Sequence, residues 1–344
     1  MTSPPLVLLG APGSPYTRKM LAALRYRRIP YRLLVGSHRA PTDLPKPKPQ
    51  LLPTFYFTRH DGSIEAVVDS TPLLRRFERD YPDRKLVPTD PAIAFLDYLL
   101  EDFADEWLTK AMFHYRWHFP ADADQAAAIL PRWSVKPATE ATLAPVSSFI
   151  KGRQISRLYV VGSNDTTAPV IEASFRRYLN AMKCHLEHQP FLMGARPGAS
   201  DFAAYGQLTQ LARFDPTPTA ITLAEAPRIF AWTEVLEDLS GVEPTEAHWI
   251  SRDNIPATLG GLFAEMGRVY VPVMLANARA VMQGAKQVET EVDGLPWVQE
   301  PFPYQAKCIQ WIGEEYSKLD GAARQVVLSV IAGTGCERLL TASG

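Results

Sequence analysis

The residues best suited to chemistry stand near the front of the chain, in Leu6-Val7-Leu8-Leu9-Gly10-Ala11-Pro12-Gly13-Ser14-Pro15-Tyr16-Thr17-Arg18-Lys19-Met20. A short apolar run leads into a glycine- and proline-bearing loop. A segment then follows with Met20, Leu21 and Leu24 on one helical face. Serine caps a helix by accepting from free backbone N–H groups, and proline suits the first helical position, where its missing N–H is not needed. One hydroxyl and several N–H donors at the positive end of a helix form a place to hold an anion or a thiolate. Asp69-Ser70-Thr71-Pro72 repeats the pattern before a second helix, where free N–H groups suit a carboxylate and Asp69 suits an ammonium. Plain capping asks for the same residues at both places, so spacing alone leaves both roles open. The glycine and lysine spacing of residues 10–19 does not fit a phosphate-binding loop.

The elements that must position these groups follow from the surrounding pattern. Residues 6–10 and 31–35 read as strands joined by a helix, which favours a parallel pair with a right-handed crossover. Residues 36–50 form a polar loop rich in proline (Pro41, Pro45, Pro47, Pro49). Residues 51–57 read as a strand entered through Pro53, and His60-Asp61-Gly62-Ser63 supplies a hairpin turn into a return strand at 64–68. A helix over 73–81 is stopped by Pro82. The order β-α-β-loop-β-β-α is that of a small thioredoxin-like α/β domain.

Taken in order, Ser14-Pro15-Tyr16-Thr17-Arg18-Lys19, the strand entered at Leu52-Pro53, and Asp69-Ser70 opening a helix resemble the N-terminal domain of the glutathione transferase superfamily. The serine form is similar to the tau class, and to omega enzymes in which cysteine replaces the serine. The resemblance implies glutathione as co-substrate, with Ser14 as the catalytic residue that donates a hydrogen bond to its sulfur. It also implies a cis Pro53, a seat for the glutathione backbone at Leu52, and a γ-glutamyl site at Asp69 and Ser70. Tyr16 is implied as a second hydroxyl near the ligand, and His38 and Arg39 as residues of a bordering loop. The chemistry is consistent with these roles. A donated hydrogen bond and a helix N-terminus both favour thiolate over thiol, and lowering the thiol pKa by about two units corresponds to roughly 2.7 kcal/mol. A cis proline presents the preceding N–H and C=O for pairing with an extended peptide. Disulfide exchange would want cysteine at position 14. Leu51 stands where many tau-like members carry lysine.

Beyond Pro91 the pattern is helical, with Phe95, Leu96, Leu99, Leu100, Phe103, Trp107 and Leu108 three and four apart. An aromatic group follows, and the resemblance implies that its Tyr115 and Trp117 wall a pocket for a hydrophobic electrophile; such a run also reads as core. Pro120, Pro131 and Pro137 break the chain before a further helix at 170–188. Phe191-Leu192-Met193-Gly194, leading to Ser200-Asp201, is similar to the superfamily's C-terminal-domain signature, in which the Asp closes a capping box. Gly198 stands at the cap position, so the box is incomplete, and Asp201 favours the helix N-terminus through charge, worth about 0.3–1 kcal/mol. The resemblance extends to about residue 240. Three parts are expected: residues 1–86, thioredoxin-like and glutathione-binding; 90–250, all-helical; and 251–344, a helical, aromatic extension (Trp297, Phe302, Tyr304, Trp311) packed on the second. Within it, 262–284 and 305–316 read as helices, and 295–304 as an aromatic-proline connector.

Composition bounds the function. A chain of 344 residues, 46% hydrophobic, is long enough for two domains and an extension. A net charge of -1 gives no electrostatic case for nucleic acid or an anionic membrane. Cys184, Cys308 and Cys336 are odd in number and widely spaced, as suits a reducing compartment. The first residues lack a basic region before an apolar run, and no uninterrupted apolar run approaches the roughly 20 residues of a membrane helix. A cytoplasmic protein is expected. His114/His118 and Cys184/His188 are four apart but lack a third ligand, so no metal is expected. The family habit implies a homodimer. The expected function is a glutathione transferase that directs the thiolate at a hydrophobic electrophile. The alternative is a non-catalytic binding or interaction protein, a carrier or scaffold on the same fold.

Overall fold

The computed structural model describes residues 4–39 and 43–341. Pro41 of the proline-rich loop and the first three residues, on which the reading of the N-terminus relied, lie outside them. The first part consists of β1 (Leu6–Gly10), α1 (Pro15–Tyr26), β2 (Tyr31–Val35), β3 (Thr54–Thr58), β4 (Ile64–Val67) and α2 (Ser70–Asp80). The sheet order is β2-β1-β3-β4. β1 and β2 are parallel from Leu6↔Tyr31 to Gly10↔Val35, and β3 is antiparallel to both β1 and β4. This is the thioredoxin-like arrangement. The third strand begins at Thr54 rather than at 51, because the Thr54 hydroxyl donates to the Leu51 carbonyl and folds 51–53 into a turn (2.6 Å).

A mainly helical region follows: α3 (Pro91–Phe103), α4 (Thr109–His118), α5 (Pro120–Ile129), α6 (Glu140–Ile155), α7 (Ala168–Leu186), α8 (Ala199–Leu211), α9 (Pro216–Glu225) and α10 (Pro227–Val235). A π-helical turn, Ala104–Leu108, joins α3 to α4 in one continuous helix. The two parts meet where α1 crosses the buried helix α8. Gly206 permits this approach, since a Cβ there would lie 2.5 Å from the Pro15 carbonyl oxygen. The gap in the α8 capping box is filled from another helix. Asp201 accepts from the Gly198 and Leu192 N–H groups, both at 2.9 Å. Asp97 of α3 accepts from the Ser200 N–H (3.3 Å) and hydroxyl (2.5 Å). A Cβ at position 198 would lie 2.5 Å from the same Asp97 oxygen, so the glycine makes room for the carboxylate that replaces the cap.

The remaining elements are α11 (Leu259–Glu265), α12 (Val271–Gln283), β5 (Val288–Val292), β6 (Leu295–Gln299), α13 (Pro303–Ser317), α14 (Gly321–Ile331) and α15 (Glu337–Thr341). A second π-helical turn, Met266–Tyr270, makes Leu259–Gln283 one helix, long and apolar enough to cross a membrane by length and composition. Phe263, Met266, Val269, Tyr270 and Val273 of that helix are buried in the same core as Phe103, Phe175 and Leu208. The region from 259 onward is therefore woven into the helical core. Residues 295–299 are a strand, not the expected connector. Asp293 (φ 54°) and Gly294 (φ 74°) form a two-residue turn of the type that matches strand twist.

Candidate functional site

Ser14 is the N-cap of α1. Its Oγ accepts from the Thr17 N–H (3.2 Å) and donates to the Leu52 carbonyl (3.1 Å). The Leu52–Pro53 bond is cis. The loop before Ser14 is held from the helical region. Arg116, paired with buried Asp215 through two 2.9 Å contacts, donates to the Gly13 carbonyl at 3.0 Å. Gln210 donates to the Pro12 carbonyl at 3.2 Å. His38 supports the turn beneath Leu52, with Nε2 2.8 Å from the Thr54 hydroxyl. The Arg39 guanidinium lies over the Phe149 ring of α6 at 4.3 Å, and Leu51 is exposed.

Tyr16 points elsewhere than expected. Its hydroxyl donates to the Asp105 carbonyl at 2.8 Å, so it fastens α1 to the π-helical turn and is not free as a second donor near Ser14. Burial, with Glu106 and Asp105 nearby, raises its pKa well above the usual phenol value.

Asp69 heads α2 with φ 84° and ψ 111°, a conformation a non-glycine residue seldom takes. Its Oδ2 accepts from the Tyr304 hydroxyl of α13 at 2.8 Å. Burial raises the Asp69 pKa, while the Tyr304 bond and the charge of Lys19 oppose the rise. Ser70, the first residue of α2, is buried. The Tyr304 ring packs near Phe302 and edge-on to Trp311. Two bonds between Asn277 of α12 and the Phe302 backbone (2.7 and 2.9 Å) hold this segment, and Gln305 donates to Glu106 at 3.0 Å.

Beneath these residues lies a charged floor that the sequence reading missed. Lys19, fully buried, contacts Asp105 (2.5 Å) and Glu101 (2.8 Å). The Thr71 hydroxyl lies 3.2 Å from both carboxylates, and Arg75 donates to Glu101 at 2.7 Å. Asp102 accepts from the Tyr270 hydroxyl. Burial pushes Asp102 up to about 7, Asp105 to about 6 and Glu106 to about 8, and pushes Lys110 down to about 8. The available signal was two acidic pairs, Glu101/Asp105 and Asp102/Glu106, four apart within an apolar helical stripe.

Tyr115 and Trp117 do not wall an open pocket. Tyr115 is 0% exposed and stacks on Phe119 at 5.4 Å; Trp117 is 3% exposed and packs with Ala123 and Ala126. Both are core residues, because α4 is enclosed by α5, α7 and α8. His114 and His118 stack on each other at 4.6 Å, and burial pushes His114 down to about 3. Among the described residues, no group of three His, Cys, Asp or Glu side chains is placed to hold a metal ion. An open groove of about 590 Å³, lined in part by Arg176, Cys184, Glu265 and Arg268, lies between α7 and α11, away from Ser14.

Residues 8–85 match the family model described as glutathione S-transferase, N-terminal domain. The front of this chain is thus similar to that domain over residues 8–85. Similar solved structures include a glutathione S-transferase from Methylobacterium radiotolerans in complex with glutathione sulfonate (20% identity, 74% of this chain and 95% of that one, TM-score 0.43). Others are a glutathione S-transferase from Rhodospirillum rubrum (15%, 73% and 98%, 0.43) and the tau-class enzyme from mango, Mangifera indica (18%, 71% and 94%, 0.41). No match was found among curated proteins. Ser14, Leu52, Pro53, Asp69 and Ser70 all fall within the matched segment. Tyr304, which touches Asp69, falls outside it.

Proposed function

We propose that the chain binds glutathione across the N-terminal ends of α1 and α2 and ionises its thiol at Ser14, for transfer to a hydrophobic electrophile. The observation that carries this reading is the conformation of Asp69. A strained backbone costs about 1–3 kcal/mol and persists where the surrounding structure holds a group in place, here a carboxylate at a helix N-terminus. A ligand with a thiolate at one end and an amino-acid head at the other matches two helix N-termini, one bearing Ser14 and the other Asp69 and Ser70. In this reading a peptide N–H of the ligand takes the Leu52 carbonyl, which frees the Ser14 proton for the sulfur. The thiolate then forms a C–S bond to the electrophile, whose leaving group departs with the bonding pair.

The test is conjugation of glutathione to an activated aryl halide, comparing wild type with Ser14→Ala. Loss of two pKa units of thiol activation lowers kcat/KM by about a hundredfold when the pH lies below the lowered pKa of the bound thiol. An unchanged kcat/KM removes Ser14 from the role. A second reading, a non-catalytic binding protein, is favoured by the hydrogen bonds already made: the Ser14 proton is given to Leu52 and Asp69 is held by Tyr304. Absence of glutathione binding would select it.

A further inference from the structure

The amino group of the proposed ligand and the Tyr304 hydroxyl need the same carboxylate. Tyr304 Oη lies 2.8 Å from Asp69 Oδ2 and takes one of the positions from which an ammonium could pair with that carboxylate. Lys19, the nearby cation, is engaged with Glu101 and Asp105. Asp69 is thus a partly buried carboxylate whose partner at Oδ2 is a neutral phenol. An ammonium would make a charge-assisted bond there, roughly twice as strong as a neutral one.

The phenol has the advantage of being tethered. Asn277 fixes the backbone at Phe302, Gln305 is bonded to Glu106, and Cys308, Ile309 and Ile312 are buried. The α13 backbone therefore stays in place, while the half-buried Tyr304 ring, near the start of the helix, can turn about its side-chain bonds. We infer that Tyr304 is a tethered competitor for the ligand's ammonium at Asp69, so that this corner of the site is occupied only when the Tyr304 hydroxyl leaves the carboxylate. The inference rests on the reading of the site given above. It makes residue 304 a determinant of which ligands bind: those with an amino-acid head must displace the phenol, and those without one need not. A tether held closed most of the time lowers apparent affinity by the fraction of time the corner is open.

Calorimetric titration of the full chain tests this with two probes: glutathione, and glutaryl-cysteinyl-glycine, which lacks only the γ-glutamyl amino group. Tyr304→Phe keeps the ring and removes the competing hydroxyl. Glutathione binding is expected to tighten by about tenfold in Tyr304→Phe, on the scale of one hydrogen bond to a charged group. Binding of the amine-free probe is expected to stay unchanged. Equal or weaker binding of glutathione by Tyr304→Phe, with Asp69→Asn still weakening it, overturns the competition and leaves the glutathione site standing. Absence of binding of both probes to wild type, Tyr304→Phe and Tyr304→Ala overturns the competition and the glutathione reading together.

Discussion

The two ends of the candidate site are built differently. At the Ser14 end, the groups that would meet a sulfur come from one domain, within 38 residues of each other. The N-cap hydroxyl, the Leu52 carbonyl and the turn supported by Thr54 and His38 all belong to the thioredoxin-like domain. The helical region braces this end at the backbone carbonyls of Pro12 and Gly13. At the Asp69 end, the partner of the carboxylate arrives from 235 residues further along the chain. The first end is a local device with external bracing. The second is complete only when the last part of the chain has folded, and that part lies outside the matched segment.

The bracing common to both ends offers the largest test of that contrast. Lys19→Met leaves Asp105 buried without its cation and Glu101 with Arg75 alone, and urea unfolding should show a loss of about 3–5 kcal/mol. A loss below 1 kcal/mol would mean that the ends are not joined through this floor. The acidic floor also gives the protein an unusual pH response. Asp97 and Asp102 are raised to about 7 and Glu106 to about 8, so the folded state holds protons that the unfolded chain releases near pH 4. Their contribution is fully present below the unfolded pKa and is lost as pH rises through the folded values. Buried His114 and His185 have lowered pKa values and act the other way, but only below about pH 6.5. Lys110 changes the balance only above about pH 8. Stability should therefore fall as pH rises from 6.5 to 8, by up to about 1.4 kcal/mol per unit for each proton released, and Glu106→Gln should flatten the slope. A smaller effect is expected at the cap of α8, where Asp97→Ala should cost about 1–2 kcal/mol. Smallest is Ser14→Ala, which removes the cap of α1 at about 1 kcal/mol, measured by the shift in the urea midpoint.

The contrast between the two ends is also one of legibility. Ser14, Leu52-Pro53 and Asp69 are readable because caps, turns and prolines act over a few residues, and the thioredoxin-like order follows from apolar runs of strand and helix length. The Tyr304–Asp69 bond has no local signature, since nothing near residue 304 indicates what it will meet. Tyr115 and Trp117 illustrate a different difficulty: an aromatic run looks the same whether it faces a pocket or a neighbouring helix, and here it faces α5 and α7. The acidic pairs on α3 and the adjoining π-helical turn are masked in the sequence by the apolar periodicity that runs through the same helix. The β5–β6 hairpin had its signal in Asp293-Gly294, obscured by Pro296 in the following strand.

The most direct test of the account is a pH titration of glutathione bound to the full chain, followed through thiolate ultraviolet absorbance, in wild type and Ser14→Ala. The account predicts a bound thiol that ionises well below its free value in wild type and returns towards it in Ser14→Ala. A bound thiol that titrates at its free value in both proteins would contradict the claim that Ser14 and the α1 N-terminus activate sulfur.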